Sequence, residues 1–340
     1  MSHFVGIDIL IIYQNRIVSV YVLELAGEED DFAAAEAQNA ANGVHVIAPG
    51  LALAKTIFPL RIVHLGYTHR VSTVLLQTSS SLSELLPCIN TITLEQPGTI
   101  AIRARDIRKS TNIDTKKIER EVGTIFVNKG FSVDLNNPTH EIRVLFSGDI
   151  CIVGRLIKTS LKGHMDRSPT KKPFFQPGSM DPIEARAIAN LAGARPNSIV
   201  LDPMCGTGGI LIEAALMGAT VYGMDAQQKM VVGANQNLRY YSTKNFVIIQ
   251  GDAANLPISV KVDSILFDVP YGRQSKIAGY ELDVLIKRTL EEAYLLTSKV
   301  VAISDFPLEK LTKQTGWVLK NHFTRRVHKS LTRHVHILHK

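Results

Sequence analysis

The segment Ser264-Ile-Leu-Phe-Asp-Val-Pro-Tyr-Gly-Arg273 passes from apolar residues directly into an acid, a proline, an aromatic and a glycine. Such an order puts Asp268 at the mouth of a buried strand, where a carboxylate can act on a ligand. An exocyclic amine on a planar base is a poor nucleophile, because its lone pair is delocalised into the ring. If the Asp268 carboxylate and the Val269 carbonyl each accept one N–H, the nitrogen pyramidalises and its lone pair can be aimed at an electrophile. Pro270 fixes the turn, Tyr271 offers a face for stacking, and Gly272 lets the chain leave without a clash. A base held in a duplex would have to be turned out to enter. Taken alone, this pentapeptide is ordinary turn chemistry; its place in a series of similar strand ends favours catalysis.

Three other apolar runs end in the same manner: Leu201–Gly209 reads LDPMCGTGG, Gly223–Ala226 reads GMDA, and Gln250–Ala253 reads QGDA. Gly206, Gly208 and Gly209 allow a tight turn and close approach of a ligand before a helix. Leu211 stands where a nicotinamide fingerprint wants glycine or alanine, and no Gly-Lys-Ser/Thr follows to make a phosphate loop. Each aspartate singly is as well explained as a helix cap or turn residue. Together, Asp202, Asp225 and Asp252 would repel a pyrophosphate but suit a ligand with an ammonium, a sulfonium, ribose hydroxyls and an adenine amine. That ligand is S-adenosylmethionine. Asp202, Cys205, Gly206 and Gly208 are then expected near its methionine end, Asp225 and Ala226 at the ribose, and Asp252 and Ala253 at the adenine. The Asp202–Asp225 spacing resembles the gap to ribose-binding acids in nucleotide folds. No metal site is expected.

The elements that must position these loops follow from periodicity. Short continuous apolar runs at about 198–202, 220–224, 246–249, 262–267 and 299–303 alternate with helical segments, as in a parallel sheet covered on both faces. The C-terminal half is therefore expected to be doubly wound α/β, with 317–323 and 333–338 pairing as an antiparallel hairpin at one end. The N-terminal half reads as α+β. Strands are expected within 4–24, broken at Gln14-Asn15, and at 56–64, 71–77, 99–105 and 141–146; helices are expected at 28–41 and 114–129, the latter capped by Asp114. The proline- and glycine-rich KKPFFQPGSMDP marks the boundary.

A chain of 340 residues suggests two or three domains, and its 45% hydrophobic and 20% charged residues are those of a soluble globular protein. The net charge of +7 and pI near 9.2 point to an anionic partner. Positive residues gather between Arg155 and Lys172 and again from Lys320 to the end. A single charge run is usually a solvated face, but two in one basic chain favour nucleic acid; Lys162, Arg167, Lys171, Lys172, Arg325, Arg326 and Arg333 are the expected contacts. Cys88, Cys151 and Cys205 are odd in number and far apart, which supports neither a disulfide framework nor a zinc site. The start lacks a basic leader and no apolar run could span a bilayer, so no membrane partner and a cytoplasmic location are expected.

With the stretch IAIRARDIRKSTNIDTKKIEREVGTIFVNKGFSVDL, the connector KKPFFQPGSMDPIEARAIANLAG, the loop DPMCGTGG and the terminal RVHKSLTRHVHIL, nearly the whole chain resembles the archaeal tRNA guanine N2-methyltransferases that modify position 10. The resemblance implies a ferredoxin-like domain at 1–55, a THUMP RNA-binding domain at 56–155, a linker at 156–174 and a Rossmann-fold S-adenosylmethionine-dependent methyltransferase domain at 175–340. It implies tRNA as substrate, gripped at its acceptor end by the THUMP domain, and N2-methylguanosine as product. It also implies Asp268 to Tyr271 as the catalytic motif, with Val269 where the family usually has proline. Some relatives use a small zinc-binding activator subunit. The need for one here, a second methylation and the oligomeric state are left open. Two other readings stand beside this one: an N2-guanine enzyme for another tRNA position or ribosomal RNA, and a tRNA-binding protein that has lost catalysis.

Overall fold

The structure, a computed structural model, describes residues 11–13, 16–18, 20–161, 163–241, 243–271, 279–328 and 331–340. The chain divides into two compact units, Met1–Ser160 and Leu161–Lys340.

In the first unit an eight-stranded mixed sheet runs, in spatial order, through Ser132–Val133, Thr99–Asp106, His140–Ser147, Ile150–Thr159, Thr68–Ser79, Tyr21–Leu25, Leu51–Ala54 and His45–Ala48. The division expected at residue 55 falls inside this sheet, because Tyr21–Leu25 pairs with both Leu51–Ala54 and Thr68–Ser79. A buried two-pronged ion pair, Arg143 to Glu24 at 2.8 Å from each nitrogen, ties the early strand to a later one. The helix at Thr115–Asn128 begins where Asp114 accepts from Lys117 N at 3.0 Å, and it buries Ile118, Val122 and Phe126 on the sheet. The strand expected at 56–64 is corrected: only Thr56–Ile57 forms a strand, and Pro59 starts a helical turn through Ile62. Of the strands expected within 4–24, residues 4–10 lie outside the described ones, while Ile11–Tyr13 pairs with Arg16–Val18. The strand Ile150–Thr159, hidden at sequence level by the basic residues it carries, returns antiparallel from His140–Ser147.

In the second unit the strands are β1 (Ile199–Asp202), β2 (Thr220–Asp225), β3 (Phe246–Gln250), β4 (Ser264–Asp268), β5 (Lys299–Ser304), β6 (Val318–His328) and β7 (Leu331–His339). Their order is β3-β2-β1-β4-β5-β7-β6, parallel through β5 and closed by an antiparallel hairpin, as the apolar pattern predicts. The helices are α1 (Pro182–Ala192), α2 (Gly209–Leu216), α3 (Gln228–Tyr240), α4 (Leu282–Leu296) and α5 (Glu309–Gln314). Strand periodicity explains the double covering. Ile265, Phe267 and Val269 join Ile286 and Leu290 of α4 in one core, while the alternate residues Leu266 and Ile303 are fully buried without belonging to it. Asp181 caps α1 by accepting from Ile183 N at 2.8 Å, and Pro182 occupies its first turn. No helix among the described residues is long and apolar enough to cross a membrane.

Candidate functional site

The chain runs β1 to β3 toward one edge of the sheet and resumes with β4 on the other side of β1. Ligands of open α/β sheets bind at this reversal, beyond the carboxyl ends of the strands. Asp202 ends β1 and Asp268 ends β4.

The turn after β1 is shaped by Gly206 and Gly208, whose φ values of 50° and 77° lie in the left-handed region. A side chain at Gly206 would meet no atom within 4 Å, so the turn presents an open face. Cys205 is buried, and its N donates to Met224 O at 2.9 Å; burial, then Asp202 and Asp225, push its thiol well up, so it is a neutral wall rather than a nucleophile. Asp225 accepts from Gly206 N at 3.0 Å and Gln227 N at 2.9 Å, tying the ends of β1 and β2 together. Ala226 is exposed, and its carbonyl accepts from the Gln250 side chain. Asp252 accepts from Ala254 N and from Tyr280 Oη, both at 2.9 Å, beside buried Ala253. Tyr280 joins the site from a loop that carries no sequence signal.

Asp202 is 3% exposed and accepts from Met204 N at 3.0 Å. Burial pushes its carboxyl well above the usual range, and the negative charges of Asp268 and Asp225 push it further. Burial raises Asp225 as well. No ion pair among the described residues includes Asp202, Asp225 or Asp252. Acids crowded together without a cation, around an open glycine turn, fit a ligand that brings positive charge and hydroxyls of its own.

At the end of β4, Val269 is buried and donates its N–H to Ile303 O on β5 at 2.9 Å, a bond proline could not make. Pro270 is exposed. The Tyr271 hydroxyl donates to Asp268 Oδ1 and accepts from Arg333 Nε at 3.1 Å. Burial raises the Asp268 carboxyl to about 7, and the nearby Arg333 guanidinium opposes the rise. Among the described residues Oδ2 has no hydrogen bond; its nearest cation is Arg333 Nε at 3.9 Å. Gly272 lies outside the described residues.

Three expected RNA contacts are corrected. Arg333 is 3% exposed because Glu184 of α1 takes its Nη1 at 2.7 Å. Arg167 donates to buried Glu213, from Nε to Oε1 at 2.6 Å, and Arg186 shares the same carboxylate. Lys172 is 8% exposed, with its Nζ 3.3 Å from where a side chain on Gly209 would begin, so it faces the start of α2. Each is turned inward toward carboxylates that offset the cost of burying a cation: Glu184 for Arg333, Glu213 for Arg167, and Glu213 with Asp181 for Lys172, whose ammonium burial nonetheless destabilises. Lys171 and Arg326 are exposed, Lys171 pairing with Asp166 at 3.3 Å; Arg325 is half-buried. Lys162 lies outside the described residues. Glu184 and Glu213 were not singled out in the sequence. Their signal is an acid set among the mostly apolar, largely buried residues of α1 and α2.

His322, His334 and His336 stack on the β6–β7 hairpin with nitrogens close enough to suggest a metal. His336 Nε2 accepts from Leu308 N at 3.1 Å and Nδ1 lies 3.2 Å from Ala302 O, so this imidazole has no lone pair left to give.

Comparison with known proteins matches residues 169–334 to the family described as RMKL-like, methyltransferase domain, and residues 86–155 to the THUMP domain. The chain is 36% identical over 245 residues to the tRNA (guanine(10)-N2)-dimethyltransferase of Methanothermobacter thermautotrophicus, covering 70% of this chain and 72% of that one. It is 32% identical to the enzyme of the same name from Pyrococcus abyssi, covering 81% and 84%. In fold it is similar to crystalline TrmN from Thermus thermophilus, with a TM-score of 0.52 and 22% identity over 94% of this chain and 99% of that one.

Proposed function

The chain belongs to the tRNA (guanine(10)-N2)-dimethyltransferase family, and from that membership we propose that it methylates the exocyclic N2 of guanosine 10 in tRNA, first to N2-methylguanosine and then to the dimethyl form. The observation that carries the reading is the pairing of a half-satisfied carboxylate, Asp268, with an acid-lined glycine turn at the reversal of the sheet.

S-Adenosylmethionine is the cofactor and, when bound, supplies an electrophilic methyl carbon carried on a sulfonium. The turn at Gly206 and Gly208 would take its methionine end, with Asp202 beside the positive charges and Lys172 and the start of α2 toward the carboxylate. Asp225 would accept from the ribose hydroxyls and Asp252 from the adenine amine. Asp268 Oδ2 and the Val269 carbonyl would accept the two N–H bonds of the guanine amine, which turns the nitrogen lone pair toward the methyl. Substitution leaves one proton in excess on that nitrogen, and Oδ2 would receive it. Tyr271, its hydroxyl held by Asp268 and Arg333, would offer its ring for packing on the base.

tRNA is the macromolecular partner this reading requires. A zinc-binding activator subunit is a further partner that the resemblance suggests, and it would show as faster turnover on reconstitution. Sequencing tRNA from cells that lack this protein tests the function. Unmodified guanosine at position 10 is expected, and an unchanged modification there would refute the reading.

A further inference from the structure

Asp268 and Arg333 meet because of strand alternation. Asp268 stands opposite Ile303 in the β4–β5 register, Ile303 stands opposite Val335 in the β5–β7 register, and Arg333 lies two residues beyond Val335 on the same face. Its guanidinium is divided among three groups: Nη1 on Glu184 Oε2 at 2.7 Å, Nε on the Tyr271 hydroxyl at 3.1 Å, and Nε again 3.9 Å from Asp268 Oδ2. A buried arginine placed between two carboxylates and a phenol, one of them the acceptor for the substrate, does more than hold strands together. The carboxylate that must draw N–H bonds is useful only when ionised, and most of its surroundings resist ionisation. Burial does so first, with Glu184 from α1 and Asp305 after β5 adding to it, and Asp202 of β1 lies near enough to repel it; Arg333 and the Tyr271 hydroxyl oppose them.

We propose that Arg333, anchored from behind by Glu184, is a positioning residue for methyl transfer, its Nε fixing the Tyr271 hydroxyl and its charge keeping the Asp268 carboxylate available to the substrate amine. This inference rests on the function proposed above. Glu184 sets how much of the guanidinium charge is left for Asp268, so the two residues act on the same carboxylate in opposite directions.

Single-turnover methyl transfer to unmodified tRNA, followed from pH 6 to 9 for the parent, Arg333→Gln and Glu184→Gln, tests it. Removing the cation should move the acidic limb of the rate to higher pH, so that the deficit of Arg333→Gln is about tenfold larger at pH 6 than at pH 9. Neutralising Glu184 leaves Arg333 an acceptor but frees its charge; the limb should move to lower pH, with the rate relative to the parent about threefold higher at pH 6 than at pH 9. Cofactor affinity should stay within about twofold for both. Limbs that move in the same direction, or rates lowered by one factor at every pH, overturn the proposal. If Arg333→Gln does not fold, Glu184→Gln decides alone, and an unmoved or raised limb overturns it. A parent that puts no methyl into guanosine refutes the proposed function instead, whereas an active parent with unmoved limbs refutes only this role.

Discussion

Asp268 has to be ionised in a place where burial favours its neutral form, and that conflict has a measurable consequence for stability. Its folded pKa of about 7 lies above the 3.8 of an unpaired carboxyl. Below both values the group is protonated folded or unfolded and costs nothing; between them the folded protein binds the proton more tightly, so stability falls as pH rises, and above the folded value the cost is complete. Asp268→Asn removes the cost while keeping an acceptor for Tyr271. We expect it to be about 1–2 kcal/mol more stable than the parent at pH 8 and no more stable at pH 4, as read by denaturant unfolding. Asp268 was legible in the sequence because its turn, ordinary by itself, follows the last of four apolar runs that each end in an aspartate. Arg333 was misread as an RNA contact: its neighbours in sequence are basic, and nothing local reveals that Glu184, 149 residues away, draws it inside.

The ends of β4 and β5 are held together by one hydrogen bond that the sequence pattern would not have demanded. Val269 N donates to Ile303 O, and a proline, usual at this place in the family that the chain resembles, would leave that carbonyl without it. Val269→Pro should keep the Val269 carbonyl in place and turnover within about threefold, while stability falls by about 1 kcal/mol in thermal unfolding. Loss of activity without loss of stability would mean that the side chain, not the bond, is what matters. The strands of this unit were legible because buried parallel strands are short unbroken apolar runs. Ile150–Thr159 was not, because half-buried Arg155 and Lys158 interrupt its apolar run and a bulge between Leu156 and Lys158 breaks its alternation. Pro59 turned an expected strand into a helical start, a local rule overriding apolar content.

At the scale of the whole molecule, a net charge of +7 does not translate into seven free cations. Arg167, Lys172 and Arg333 serve the interior, leaving Lys171 and Arg326 as the exposed members of the expected set among the described residues. Lys171→Gln with Arg326→Gln should weaken tRNA binding and lower the slope of log affinity against log salt by roughly 2. Arg167→Gln should leave that slope unchanged and lower thermal stability, because Glu213 loses a partner. A slope that responds to Arg167 and not to the exposed pair would restore the simpler view drawn from charge clustering. Composition named the class of partner correctly, but which cations reach it depends on carboxylates that only the fold brings near.

Methyl transfer by the parent and by Asp268→Asn to tRNA lacking the modification, followed by digestion to nucleosides, tests the central claim most directly. Label should appear in N2-methylguanosine and its dimethyl form with the parent and fall by about 10³-fold or more with the variant, both still binding cofactor and tRNA. Label in adenosine or cytidine, or undiminished transfer by Asp268→Asn, would contradict the account.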